Sequence, residues 1–268
     1  MQQVARTGAR VARPGRGAGP VIVLARLGFL TLLILLWWLA SRHGGRNIIP
    51  TPAATAEAAL RLWSEGRLQT ALGDSLRVFV GGFVAAALVG IPLGALMGTV
   101  RILGRTLDVF VYALAATPRV AFIPLIILLL GLGVEAKTFI VFLGAVMPII
   151  LNTYAGVLDA DEELVEMARS TGASSWRIYG HVILPGALPF LVVGLRLGAT
   201  IGLINTVVAE LYTAVRGLGG LLAIYGNTFR MAEYFVIVLT LALVGVAVTE
   251  ALRLLEARLA RWRAPAGN

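Results

Sequence analysis

The sequence predicts an all-α polytopic membrane protein with six transmembrane helices and a polar helical elbow between the fourth and fifth. Three observations carry that expectation. The 268-residue chain is 58% hydrophobic and only 14% charged, against roughly 25% charged residues in an ordinary soluble domain. Val78 to Val100 and Thr138 to Leu158 are uncharged runs of 23 and 21 residues, and at about 1.5 Å per residue each can cross a hydrocarbon core about 30 Å thick. Between the second of these and a further apolar run lies a segment, "LDADEELVEMARSTGASSWRIYGHVILP", punctuated like a soluble helical hairpin.

The elements follow in order. Residues 1–19 form a basic tail, and the first span covers 20–40, with Arg26 near enough to its start to snorkel. This start resembles a signal peptide in polarity, but the run is long, ends in Trp37-Trp38 and is followed by "SRHGGRN" in place of a small-residue cleavage site. An uncleaved span with interfacial tryptophans near the outer face is expected. In the loop 41–76, Thr55 can cap an amphipathic helix whose Ala59, Leu62 and Trp63 share a face along the outer surface. The second span, 78–100, repeats small residues at Gly90, Gly94 and Gly98, the spacing that lets helix backbones approach in lipid. Thr117-Pro118-Arg119 reads as a break, placing an interfacial helix before a third span at 120–134. The fourth, fifth and sixth spans are placed at 138–158, 185–209 and 234–252, together making a membrane domain of residues 20–252, with a cytoplasmic tail at 253–268.

Net charge is +9, from 22 arginines and the single Lys137. In a soluble chain this would suggest nucleic acid; here the basic residues are dispersed between apolar runs, so they report topology instead. With both termini inside, the cytoplasmic pieces hold 14 basic residues, including Arg101, Arg105, Arg119, Arg169 and Arg177, against 7 outside, among them Arg46, Lys137, Arg216 and Arg230; Arg77 and Arg196 are left unassigned. No cysteine is present, which excludes disulfide, thiolate-metal and thiol chemistry. His43 and His181 stand alone, without a metal-ligand partner at recognisable spacing.

The region 159–181 is expected to face the cytoplasm. Asp159 is a candidate N-cap with Glu162 at capping-box spacing, and acids crowd the first turn where the helix dipole favours them. Leu164, Met167, Ala168 and Thr171 share a side, Gly172 ends the helix, and Ser174 can cap a second short helix whose Trp176 and Tyr179 lie three apart. Pro185 falls in the first turn of the fifth span, where its missing N–H costs little. An exposed aromatic pair on a rigid elbow suits transmission of movement from a soluble partner; the alternative, a plain amphipathic loop on lipid, fits poorly with Asp159, Asp161, Glu162, Glu163 and Glu166.

Glu166-Met167-Ala168, Gly172 and Val182-Ile183-Leu184-Pro185 resemble, without a gap, the cytoplasmic signature of the permease subunits of bacterial ATP-binding-cassette (ABC) importers: a glutamate, two alanines, three residues, glycine, nine residues, then isoleucine, any residue, leucine and proline. Met167 replaces the first alanine and Val182 the isoleucine. "TPRVAFIPLIILLLGLG", "MPIILNTYAGV", "GLRLG", "VVAE" and "GLGGLL" further resemble the subgroup importing nitrate, taurine and aliphatic sulfonates, which includes relatives for thiamine-precursor pyrimidines, riboflavin and aromatic acids. The resemblance implies a type I ABC importer transmembrane domain in the bacterial inner membrane. Two such chains would enclose one path, two cytoplasmic ATPases holding ATP and Mg would bind below, and an extracytoplasmic solute-binding protein would deliver a small anionic solute. It also implies that the coupling helix comprises Glu166, Ala168, Gly172, Ser174, Ser175, Trp176, Arg177, Tyr179, Leu184 and Pro185. The chain has no phosphate-binding loop, so no ATP hydrolysis of its own and no cofactor are expected.

Candidate pathway or gating groups are Tyr154, Arg196, Asn205, Thr206, Glu210 and Tyr212. Arg196, well inside a span, must be hydrated, paired or snorkelled; a structural role is expected over substrate binding. Glu210 is expected to pair with Arg216 or Arg230, and Asn152 and Asn205 to satisfy backbone or helix-interface hydrogen bonds. A membrane enzyme would need acidic or histidine residues clustered at one depth. An ion-coupled carrier would need intramembrane acids beside its broken helices; neither pattern is visible in the spans.

Overall fold

The computed structural model describes residues 18–43, 48–213 and 216–259. Arg6, Arg10, Arg13, Arg16, Arg46, Arg261 and Arg263, and with them most of the basic tail, lie outside these. The described residues form α1 (Ala18–His43), α2 (Pro52–Ser64), α3 (Arg67–Thr99), α4 (Arg101–Ala116), α5 (Ile123–Leu130), α6 (Val134–Leu158), α7 (Glu162–Ser170), α8 (Ser175–Ile178), α9 (Leu184–Thr213), α10 (Leu218–Asn227) and α11 (Met231–Leu259). Five helical segments, containing α1, α3, α6, α9 and α11, are long and apolar enough to cross a membrane.

The centre is formed by α3, α6 and α9, with both α3 and α9 packed closely on α6 and also touching each other through Phe79 and Gly202. The glycine stripe of α3 creates it: a Cβ on Gly94 would stand 2.5 Å from the Ile150 carbonyl oxygen and 2.8 Å from Thr153 Cβ, and one on Gly90 would stand 2.9 Å from Ile149 Cγ2. α9 packs on α6 in the same way, through Gly194 against Asn152 and Gly198 against Ile149, the residue that Gly90 of α3 also meets. Dispersion and backbone approach hold helices together in lipid, where tails are as apolar as leucine.

The third predicted span is built differently. Residues 119–122 form a single 3₁₀ turn and α5 has eight residues, about 12 Å of helix and too short to cross alone. It qualifies only together with α4, from which it is bent by 80°. The pair climbs alongside α6 over its whole length: Gly104 packs near the Tyr154 hydroxyl at one end, Arg119 reaches Gly144 midway, and Ile123 and Ile126 pack with Ala136 and Ile140 at the other. Thus α4 and α5 together form one bent apolar pair packed along α6. Arg119, counted above among the cytoplasmic charges, sits at the break. It donates to the carbonyl oxygens of Ala115 (2.9 Å) and Gly144 (3.0 Å). Gly144 is four residues before Pro148, whose missing N–H leaves that carbonyl free.

The outer elements correct two local expectations. Thr51, not Thr55, caps α2, its Oγ1 accepting from Ala54 N–H at 3.1 Å, because Pro52 pre-sets the first helical residue. The buried face of α2 is Thr55, Ala58 and Leu62 while Trp63 stays exposed; Ala58 and Leu62 join Leu218, Tyr225, Val236 and Ile237 of α10 and α11. The two tryptophans of α1 divide their work. Trp37 donates to the Pro50 carbonyl oxygen at 3.0 Å and stacks on Phe235, whereas Trp38 lies beneath the Arg42 guanidinium.

Candidate functional site

Two regions concentrate polar groups, one at each end of the bundle. At the elbow end, Asp161 caps α7, its Oδ1 accepting from Glu163 N–H at 3.0 Å and Leu164 N–H at 3.3 Å. Asp159, the expected cap, instead closes α6 through its own N–H to Ala155: the turn at 159–160 moves the helix start two residues on. Gly172 ends α7 with φ +79°, donating to Arg169 while Ala173 donates to Ala168. This paired closure needs a left-handed residue and explains the glycine. Ser174 stands at the N-cap of α8, but its backbone carbonyl accepts from Arg177 and Ile178 and its hydroxyl makes no cap bond.

No residue of α7 is buried. Leu164, Met167 and Trp176 expose apolar side chains, Trp176 to 84%. Glu166, Ala168, Ser175 and Arg177 belong to the same surface-lying helices. Tyr179 differs from the expected exposed pair: it meets Trp176 edge-on, at 6.4 Å between ring centroids, and packs against the Ala95, Val157, Ala187 and Leu191 cluster. It anchors the elbow and leaves Trp176 outside. Between α8 and α9 the chain makes one wide π turn, Tyr179–Ile183, with Leu184 N–H donating to the Tyr179 carbonyl. The extra width precedes Pro185, whose ring clashes with a carbonyl four residues back in a regular helix. Leu184 and Pro185 therefore lie inside one continuous helical path, Ser175–Thr213.

At the opposite end, Glu210 is 1% exposed. Ser75 Oγ donates to its carboxylate at 2.8–2.9 Å, Gly219 N–H donates at 2.9 Å, and Ser75 Oγ accepts in turn from Leu218 N–H at 2.8 Å. The carboxylate thereby sits at the N-terminus of α10, whose unpaired N–H groups and dipole favour an anion. Gly219 permits the approach: a Cβ there would fall 2.6 Å from the Val207 carbonyl oxygen and 2.7 Å from Glu210 Cβ. Neither Arg216 nor Arg230 pairs with Glu210. Arg230 and Arg61 both bind Glu233, at 2.7 and 2.6 Å, and the hydrogen bond that Arg230 donates to this carboxylate holds its guanidinium above its ordinary range.

The six candidate pathway residues are not gathered at one place. Tyr154 lies near the elbow end of α6 against Gly104, and Tyr212 is exposed near the far end of α9. Asn205 donates to the Ile140 carbonyl at 3.3 Å, Thr206 to Gly202 within α9, and Asn152 to Pro148 within α6. Arg196 reaches Glu256 of α11 at 2.5 Å, an ion pair. Sequence reasoning missed Glu256, Glu233 and Ser75 because their partners lie 60, 172 and 135 residues away. Among the described residues no cluster of His, Asp and Glu could hold a metal ion.

Residues 90–261 match the family described as binding-protein-dependent transport system inner membrane component. The chain is 36% identical to the putative aliphatic sulfonates transport permease protein SsuC of Escherichia coli K12, over 86% of this chain and 88% of that protein. It is 34% identical to the riboflavin transport system permease protein RibX of Chloroflexus aurantiacus, over 88% of each. A chain of the inward-facing MetNI methionine ABC transporter superposes with a TM-score of 0.62 at 21% identity, covering 70% of this chain and 94% of that one, a likeness of fold. The glycine-packed bundle and the continuous elbow accordingly belong to a member of the binding-protein-dependent transport system inner membrane component family, the permease subunits of ABC transporters.

Proposed function

We propose that this permease subunit serves an ATP-driven, binding-protein-dependent importer of a small anionic solute such as a sulfonate, taurine or nitrate. The chain crosses the bacterial inner membrane six times, the broken α4–α5 pair included, with both termini in the cytoplasm. Two copies enclose the path, two ABC ATPases dock below, and a solute-binding protein delivers cargo above. One observation carries the coupling role: Trp176 is 84% exposed on a segment that runs without a helical break into α9. An ATPase groove that takes this indole can push on a rigid rod.

The aliphatic sulfonate relative supports the anionic cargo. The riboflavin relative, at nearly the same identity, supports a second reading in which a larger heterocycle is carried by the same machinery. Ligand retained by the cognate binding protein, identified by mass spectrometry, separates the two. Co-purification with the cognate ATPase tests the coupling role: the wild-type chain is expected to hold the ATPase and Trp176→Ala to weaken the attachment. Unchanged attachment and unchanged transport-coupled hydrolysis in Trp176→Ala would remove the docking assignment.

A further inference from the structure

Beside the Glu210 network lies a cavity of about 230 Å³, lined by Asp74 and Arg77 of α3, Gly133, Lys137 of α6, Glu210 and Arg216 among others. Lys137 is the chain's single lysine and is 4% exposed. An ammonium offers three donors. Among the described residues Lys137 makes one hydrogen bond, a long 3.3 Å contact to the Arg216 carbonyl oxygen, and no ion pair. Glu210 and Asp74 act on its charge from a distance, but neither accepts a hydrogen bond from it, the Glu210 carboxylate being turned to Ser75 and Gly219. A buried ammonium with idle donors is costly unless something accepts from it. Arg77 and Arg216 add two more cations against Asp74 and Glu210, so the lining carries an excess of positive charge.

We propose that this cavity is a binding site for a small organic oxyanion, a sulfonate or carboxylate of a few carbon atoms, whose oxygens accept from Lys137 and Arg216. The volume favours that class, because pockets for drug-sized ligands run from about 300 Å³ upward and a flavin-sized molecule needs more than is present. The site lies where α3, α6, α9 and the turn before α10 meet, at the end opposite the elbow, so it would receive solute on the side where a binding protein delivers it. The assignment of the anion as cargo rests on the import reading above.

The lone lysine supplies a direct probe. The full chain, in nanodiscs of zwitterionic lipid, is treated with an amine-acylating reagent, and modification at Lys137 is read by peptide mass mapping. Ethanesulfonate is expected to slow acylation saturably, while sodium chloride at equal ionic strength and choline leave it unchanged. Arg216→Gln, which keeps Lys137, is expected to raise the half-protecting concentration about tenfold, the loss of one charge-assisted hydrogen bond. Ethanesulfonate without effect, or an equal effect of sodium chloride, overturns the site. Protection by phosphatidylglycerol nanodiscs without added anion overturns the solute assignment in favour of a lipid headgroup. Labelling needs no ATPase, so its failure is distinct from failure of the permease reading, which would show as a chain that binds no ATPase.

Discussion

At the scale of single residues, function divides between side chains that face outward and side chains that hold the frame. Trp176 and Tyr179 are three apart and touch, yet only the tyrosine is packed into the bundle. Tyr179→Ala is therefore expected to lower the unfolding temperature of the detergent-solubilised chain, whereas Trp176→Ala leaves it unchanged and acts on ATPase attachment alone. Ser75 joins α3, α9 and α10 through one hydroxyl. Ser75→Ala leaves Leu218 N–H and part of a buried carboxylate without partners, at an expected cost of about 1–3 kcal/mol, measurable by thermal unfolding; full retention of stability would remove the network from the account of this end. The sequence displayed Glu210 as unusual, but its partners are a serine hydroxyl and the backbone N–H of Gly219, which carry no signature in a linear reading.

At the scale of elements, two breaks in helical regularity have identifiable causes. The π turn at Tyr179–Ile183 lies just before Pro185, and the 80° bend between α4 and α5 follows Thr117-Pro118. The bend is fastened by Arg119, whose planar fork donates to carbonyls on two different helices. Arg119→Lys is expected to fall short of wild type, because a single ammonium on a flexible stem does not reproduce that fork. Arg119→Met is expected to lose about 1–3 kcal/mol and to raise the reactivity of a cysteine placed at Thr117. Equal stability and equal reactivity in all three chains would refute the fastening role. The Thr-Pro-Arg punctuation announced the break; the packing of α4 and α5 along α6 depends on distant residues, which no local pattern encodes.

At the scale of the whole molecule, α6 is the axis, and the glycines of α3 and α9 set how closely its neighbours approach. Gly94→Val is expected to be among the most damaging single changes, since even the first added carbon would meet the Ile150 carbonyl oxygen at 2.5 Å; loss of the folded monodisperse peak in size-exclusion chromatography is the measurement. Gly28, with nothing within 4 Å of its Cβ position, is the matched control and is expected to tolerate alanine. Composition, run length and the small-residue spacing alone determined the membrane class and the helices whose backbones could come close. The Glu166 to Pro185 signature alone pointed to the permease family. These are local or periodic properties, and hydrophobic thickness and backbone geometry act on them directly. Tertiary structure decided which charges met and which did not: Arg196 with Glu256, Arg61 and Arg230 with Glu233, Glu210 with the start of α10, and Lys137 beside a cavity it shares with Asp74, Glu210 and Arg216 but without an ion pair among the described residues. Those pairings depend on where distant helices are brought together, and in a low-dielectric bundle the geometry of that meeting sets the worth of every buried charge.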